Sequence, residues 1–198
     1  QQIPMPLDEV SWDYKIVAEK SRREKQAVLM AVKRDVVDES TDIIKKAGFV
    51  SRSITLSLLC LLNIAKRSKE SRNAEGIIIV DIGAESSGIL INRKKHVWLR
   101  SFSLGGSQIS KSIAENADID FAKAEQIKRE GPSVLGNMDP AIIAQVHETI
   151  SQNLENFVSE VERSISFYKM DQLNNDSSLD QGFFKKFRLL LTGGGSKI

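Results

Sequence analysis

Cysteine is nearly absent. The single one, Cys60, excludes a disulfide framework and fits a reducing compartment. It lies in an apolar helical run and is expected to be buried. Only two histidines are present, His96 and His147, far apart and without cysteine partners, which argues against a structural zinc site. Excess charge is missing too: 28 Lys and Arg against 26 Asp and Glu leave a net +2, no basis for a nucleic-acid partner or a polybasic membrane patch. No signal peptide is visible, and the apolar run Leu56 to Ala65 is too short to span a bilayer. There is no internal repeat. What remains is an ordinary globular composition, 41% hydrophobic and 27% charged over 198 residues, enough for a real core in one or two domains. The chain opens QQIPMP without a methionine and stops just past a glycine motif. Both ends read as cut, so a fragment of a longer protein is expected.

The chain is organised around GIIIVDIGAESSGILI, Gly76 to Ile91. Ile77 to Val80 form a β-branched run suited to a strand buried on both faces. Asp81 sits at its end, and Gly83 follows where the chain must turn. Ser86, Ser87 and Gly88 complete a small polar connection. Ile89 to Asn92 return as a second strand, and His96 to Phe102 read as a third. The turn suits a phosphate: glycine admits close approach, successive N–H groups form an anion nest, and the serines supply hydroxyls. Asp81 could hold a hydrated Mg²⁺ or orient a water. Taken alone, Asp-Ile-Gly is as well explained by a plain hairpin. The far end of the chain adds weight: the strand Phe187 to Leu191, expected to be buried, runs straight into Thr192-Gly193-Gly194-Gly195-Ser196. Three consecutive glycines after a strand mean that a ligand or another backbone passes close by.

Elsewhere, Gln1 to Asp8 is extended around Pro4 and Pro6. Ser11 to Ala18 alternates around Trp12, Tyr14 and Ile16 as a strand does, and Ala27 to Val32 is its hairpin partner across the charged turn Lys20 to Gln26. Asp35 to Ala47 follows a helical period through Val36, Val37, Ile43 and Ile44, and Gly48 caps it. Phe49 to Thr55 is expected to be a strand and Leu56 to Ala65 a helix. Gly105-Gly106 opens a helix to Asn116, an anion-friendly start. Asp118 or Asp120 caps the helix Phe121 to Glu130, Gly131 to Pro140 is a loop, and Pro140 opens a long helix to about Tyr168. Leu173 to Gly182 is polar and expected to be mobile.

A strand–DxG–strand unit followed much later by strand–GGG resembles the two-part nucleotide signature of the actin-like ATPase superfamily. Within it, IPMPLDEVSWDYKI (Ile3 to Ile16), VKRDVVDESTDIIKKAGF (Val32 to Phe49), RSFSLGGSQISKSIAE (Arg100 to Glu115) and FAKAEQIK (Phe121 to Lys128) resemble segments of the PilM family of type IV pilus assembly proteins. The resemblance covers nearly the whole chain. It implies an α/β fold: half of an actin-like ATPase (ribonuclease H-like) with a small inserted α+β subdomain. Residues 1–55 would be that strand–strand–helix–strand insertion, 56–75 a connecting helix and turn, and 76–198 the nucleotide-binding second half.

Carried over by position, the resemblance puts Asp81, Gly83, Ala84, Glu85, Ser86 and Ser87 at the phosphates of ATP, with Asp81 at Mg²⁺. It puts Gly105 and Gly106 beside them. Gly193, Gly194, Gly195 and Ser196 would lie near the sugar and α-phosphate, and Glu125 and Lys128 would reach the ribose and adenine. Without the family, Glu125 and Lys128 are a plain surface ion pair one turn apart. Where the family carries an acid after the turn, this chain has Ser86-Ser87-Gly88. That departure favours nucleotide binding over turnover, at most a weak ATPase with no catalytic residue assigned. A chain lacking one wall of the cleft would bind nucleotide weakly or not at all. The implied role is cytoplasmic, peripheral to the inner membrane, docking the N-terminal tail of a PilN-like membrane protein near Trp12, Tyr14 and the Asp35 to Ala47 helix. Other pilus platform proteins and self-association are further implied contacts. The alternatives are an FtsA-like filament-forming cell-division ATPase, or another actin-fold ATPase or kinase.

Overall fold

A computed structural model describes residues 6–19, 25–71, 73–94, 96–131, 139–175 and 184–197. The turn at 20–24, most of the loop at 132–138, and the bulk of the polar stretch after Asn175 lie outside them. So does the extended reading of Gln1 to Met5.

Two sheets are present. β1 (Val10–Glu19) and β2 (Lys25–Lys33) form an antiparallel hairpin. The second sheet has the order β5-β4-β3-β6, built from β3 (Gly76–Ile82), β4 (Ser87–Arg93), β5 (His96–Phe102) and β6 (Phe187–Thr192). β3 pairs antiparallel with β4 and parallel with β6. The β-branched run predicted to be buried on both faces is so. Strand alternation sends Ile77 and Ile79 to one side, against Leu58, Leu59, Leu62 and Ala65 of α2 (Ser57–Arg67). Ile78 and Val80 go to the other, against Tyr168, Phe157 and Val161 of α5 (Pro140–Asn175). Each such side chain contributes about 1.5–3 kcal/mol relative to exposure. Both faces being apolar, the strand's ends help fix its register: a side chain at Gly76 would run into the Phe187 ring.

Between β5 and β6 come α3 (Gly106–Ala117) and α4 (Phe121–Glu130), which share a core with the start of α5 through Ile109, Ile113, Ala124, Ile127 and Val146. Asp120, rather than Asp118, caps α4: its Oδ1 accepts the Lys123 N–H at 2.9 Å. Asp118 instead ends α3 in a left-handed conformation. α1 (Arg34–Lys46) ends as expected at Gly48, φ +85°, where Gly48 and Phe49 donate to the Lys45 and Ile44 carbonyls.

Three expectations fail, because burial and strand pairing depend on what lies beside a segment rather than on its own letters. Cys60 is exposed, because α2 turns Leu58, Leu59, Leu62 and Ala65 inward and Cys60 with Ile64 outward. Phe49 to Thr55 forms no strand, and Phe49 and Val50 stand exposed. β6 forms where predicted but at the sheet edge, with Leu189 and Leu191 exposed on the α5 side. No residue of α1 is buried, although Val37 on its apolar stripe is half-covered. The long helix also runs past Tyr168, through Leu173, to Asn175.

Candidate functional site

The C-terminal ends of β3 and β6 converge on the turn that follows β3. Gly83 N–H donates to the Ser86 carbonyl at 3.1 Å and closes that turn. The loop before α3 is stitched onto it: Gly106 and Ser107 N–H donate to the Gly83 and Ala84 carbonyls at 2.9 and 2.8 Å. A side chain at Gly105 would collide with the Ala84 carbonyl, so only glycine allows this approach. The predicted anion-friendly start of α3 is thereby changed in kind. Its first two N–H groups serve to fasten the turn. The glycines after β6 sit on the end of β3: Gly193 has φ +89°, and a side chain there would strike the Ile82 carbonyl. Gly194 faces open space.

These segments enclose a cavity of about 400 Å³ lined by Gly83, Ala84, Gly106, Gly194 and Gly195 on one side and by Glu125, Lys128 and Arg129 of α4 on the other. That volume lies within the range of about 300–1,000 Å³ common for small-molecule sites. Seven of the predicted residues therefore line one space, drawn from three distant parts of the chain.

Glu125 and Lys128 are more than a surface pair. Lys128 is almost fully covered, its side chain 7% exposed, and its ammonium donates to Glu125 Oε2 at 2.6 Å and to the Gly106 carbonyl at 2.9 Å. Glu125 also accepts from buried Ser110 Oγ at 2.5 Å and from Arg129 Nε at 2.7 Å. Desolvation pushes its carboxyl up, but the hydrogen bonds from Lys128, Ser110 and Arg129 together outweigh that and bring it down to about 2. The wall formed by α4 is thus ionised and net positive by one charge, with Lys128 enclosed and Arg129 at the solvent edge.

The remaining predicted residues stand around this cavity rather than in its lining. Asp81 is half-buried at the end of β3, with Ser57 Oγ at the start of α2 donating to its Oδ2 at 3.4 Å. Glu85 and Ser86 are exposed on the turn. The Ser87 hydroxyl is buried and donates to the Leu104 carbonyl at 2.6 Å, a structural bond. Gly105 lines a smaller apolar recess with Ile109, Leu154 and Phe157. Ser196 Oγ donates to the Gly193 carbonyl at 2.7 Å and closes the turn after β6. Two neighbours escaped the sequence reading. Arg129 had a signal, since it lies four residues after Glu125 on one helix. Ser57 had none, because only the fold brings α2 to Asp81.

Glycine backbone on one wall and the cations Lys128 and Arg129 on the other suit an anion. The residues fit a nucleotide. Among the described residues no cluster of three or more His, Cys, Asp or Glu could hold a metal by itself. Asp81 alone matches the usual manner of Mg²⁺, which keeps its waters and leans on phosphates plus one carboxylate.

A family model described as type IV pilus assembly protein PilM matches residues 1–198. A search of curated proteins finds no match. Among solved structures, the chain is similar to the PilM-PilN type IV pilus biogenesis complex, at 22% identity and TM-score 0.73, over 99% of this chain and 52% of that one. It is also similar to MreB 5 of Spiroplasma citri bound to AMPPNP, at 12% identity and TM-score 0.55, over 84% of this chain and 55% of that one. At such identities the likeness shows the fold alone: α/β, of the actin-like kind. The chain spans about half the length of these structures.

Proposed function

The chain belongs to the family of type IV pilus assembly protein PilM, and from that membership we propose that it is part of an ATP-binding assembly protein of the pilus inner-membrane platform. The observation that carries the nucleotide half is the cavity between the two glycine turns and the Glu125–Lys128–Arg129 wall. MreB 5 of Spiroplasma citri was solved with AMPPNP, which supports a nucleotide as the occupant of an actin-like fold. In this proposal Gly83, Ala84 and Gly106 lie against the phosphates, and Gly194 and Gly195 against the sugar. Lys128, held in place by Glu125 and the Gly106 carbonyl, supplies positive potential. Asp81 would hold a hydrated Mg²⁺, which when bound neutralises phosphate charge. In this proposal ATP serves as a conformational ligand, acting through differential affinity for two states.

The partner half rests on the PilM-PilN complex as a structural relative and on the hairpin's surface. Trp12, Tyr14 and Ile16 project from one face of β1, each more than 40% exposed (52%, 57% and 44%). Aromatic anchors of this kind dominate docking energetics. The expected occupant is the cytoplasmic N-terminal tail of a PilN-like membrane protein, captured as an extended peptide. The protein itself would sit in the cytoplasm against the inner membrane. Among the described residues no helix is long and apolar enough to cross a membrane. Fluorescence anisotropy of a labelled tail peptide with the full-length protein tests this: Trp12→Ala should weaken binding about tenfold or more. Unchanged affinity would remove the hairpin from the docking surface. Displacement of a fluorescent ATP analogue by ATP, lost in Lys128→Gln, tests the nucleotide half separately.

A further inference from the structure

The opposite end of the four-stranded sheet carries a second cleft, remote from the glycine turns. It has a volume of about 770 Å³ and lies between the last turn of α2, the segment entering β3 and the β4–β5 turn. Lys66, Arg93 and Lys94 line it, with Glu75 as the acid in its lining. Glu75 is already committed: its Oε1 accepts from Lys186 Nζ at 2.8 Å. The cleft therefore keeps a net positive charge that the balanced total of the chain conceals. The Glu75 carboxyl reports that field. It is held below its ordinary value first by the hydrogen bond from Lys186, with the charges of Arg93 and Lys94 adding to it.

Two details mark this end as more than a scattering of surface lysines. Among the described residues, neither Lys66 nor Lys94 forms a salt bridge, although both line the same cleft. Lys94 also sits in the left-handed region, φ +53°, where glycine or asparagine would be at ease and a lysine is uncommon. Lys66 and Arg67 occupy the last turn of α2 and offset the negative end of its dipole, so the helix end does not repel an anion. Buried Ser71 adds a hydroxyl to the lining.

We propose that this cleft binds a phosphate group through Lys66, Arg93 and Lys94, separately from any nucleotide at the glycine turns. The group could be presented by a soluble phosphate compound or by an anionic lipid headgroup, and the test distinguishes them. Full-length protein is titrated with inorganic phosphate by calorimetry, and is co-sedimented with phosphatidylcholine vesicles with and without phosphatidylglycerol. The cleft variant is Lys66→Gln with Lys94→Asn, asparagine being suited to that φ so that the turn is kept. The control is Lys45→Gln with Lys46→Gln, which removes the same charge at the end of α1, outside the cleft. Two cations near a phosphate-bearing surface predict about a 30-fold weakening in the cleft variant. The control should stay near wild type. Binding of inorganic phosphate assigns the cleft to a soluble compound. Binding of phosphatidylglycerol vesicles alone assigns it to headgroups. The proposal is overturned if neither probe binds, if the cleft variant binds like wild type, or if the control loses as much as the cleft variant.

Discussion

Glu125→Gln is the sharpest perturbation of the candidate site, because one carboxylate there holds three donors. Ser110 Oγ, Lys128 Nζ and Arg129 Nε approach it at 2.5, 2.6 and 2.7 Å. An amide of the same shape keeps the packing but removes the charge. Lys128, 7% exposed, would then keep only neutral acceptors, the amide oxygen and the Gly106 carbonyl, and Arg129 would face the amide nitrogen, which accepts nothing. A hydrogen bond to a charged group is worth about 1.5–3 kcal/mol. Since Glu125 itself is 26% exposed, water screens part of that. The expected loss at pH 7 is about 2 kcal/mol, or about 1 M in urea midpoint for a slope of about 2 kcal/mol per M. The pH dependence has a definite sign. The folded carboxyl titrates near 2, below its ordinary 4.5, so its contribution is complete above about pH 4.5 and disappears as pH falls toward 2. Urea unfolding of wild type and variant between pH 7 and pH 2.5 should therefore show a gap that closes below pH 4.5. Equal midpoints at pH 7, or a gap that persists unchanged into acid, would refute the three-donor arrangement.

Two stability predictions follow from local geometry. Gly193→Ala places a side chain at φ +89° against the Ile82 carbonyl and should cost about 1–3 kcal/mol in thermal unfolding; a neutral result would contradict the close packing of the two strand ends. Asp120→Ala removes the cap of α4 and should cost about 1 kcal/mol, while Asp118→Ala, which removes no such bond, should not show this capping loss; the reverse order would reassign the cap.

The parts of this fold that were legible in the sequence are those whose cause is local. The Ile77 to Val80 run reads as a doubly covered strand because its letters leave no polar face. Gly48 reads as a cap because a left-handed residue is needed there, and Asp118 or Asp120 because a short acceptor is, with only the structure choosing Asp120. The cavity was legible only in part. Gly83, Gly106, Gly194 and Gly195 could be named, since glycine is informative wherever it breaks an element. Their division of labour could not, because Gly105 and Gly193 turn out to accommodate neighbouring backbone, while Gly194 opens on the cavity. Ser87 looked like a phosphate donor and is spent on Leu104. Cys60, Leu189 and Leu191 were misjudged because exposure depends on neighbours hundreds of atoms away. The basic cleft was invisible in a total of +2, since only the fold gathers Lys66 and Lys94 at one end of the sheet.

Calorimetric titration of Mg-ATP into the full-length protein bears most directly on the nucleotide site. Saturable binding that Asp81→Ala and Lys128→Gln each weaken severely is the expected result. Absence of binding by the wild-type protein, or equal binding by both variants, would mean that the cavity between the glycine turns and α4 holds no nucleotide.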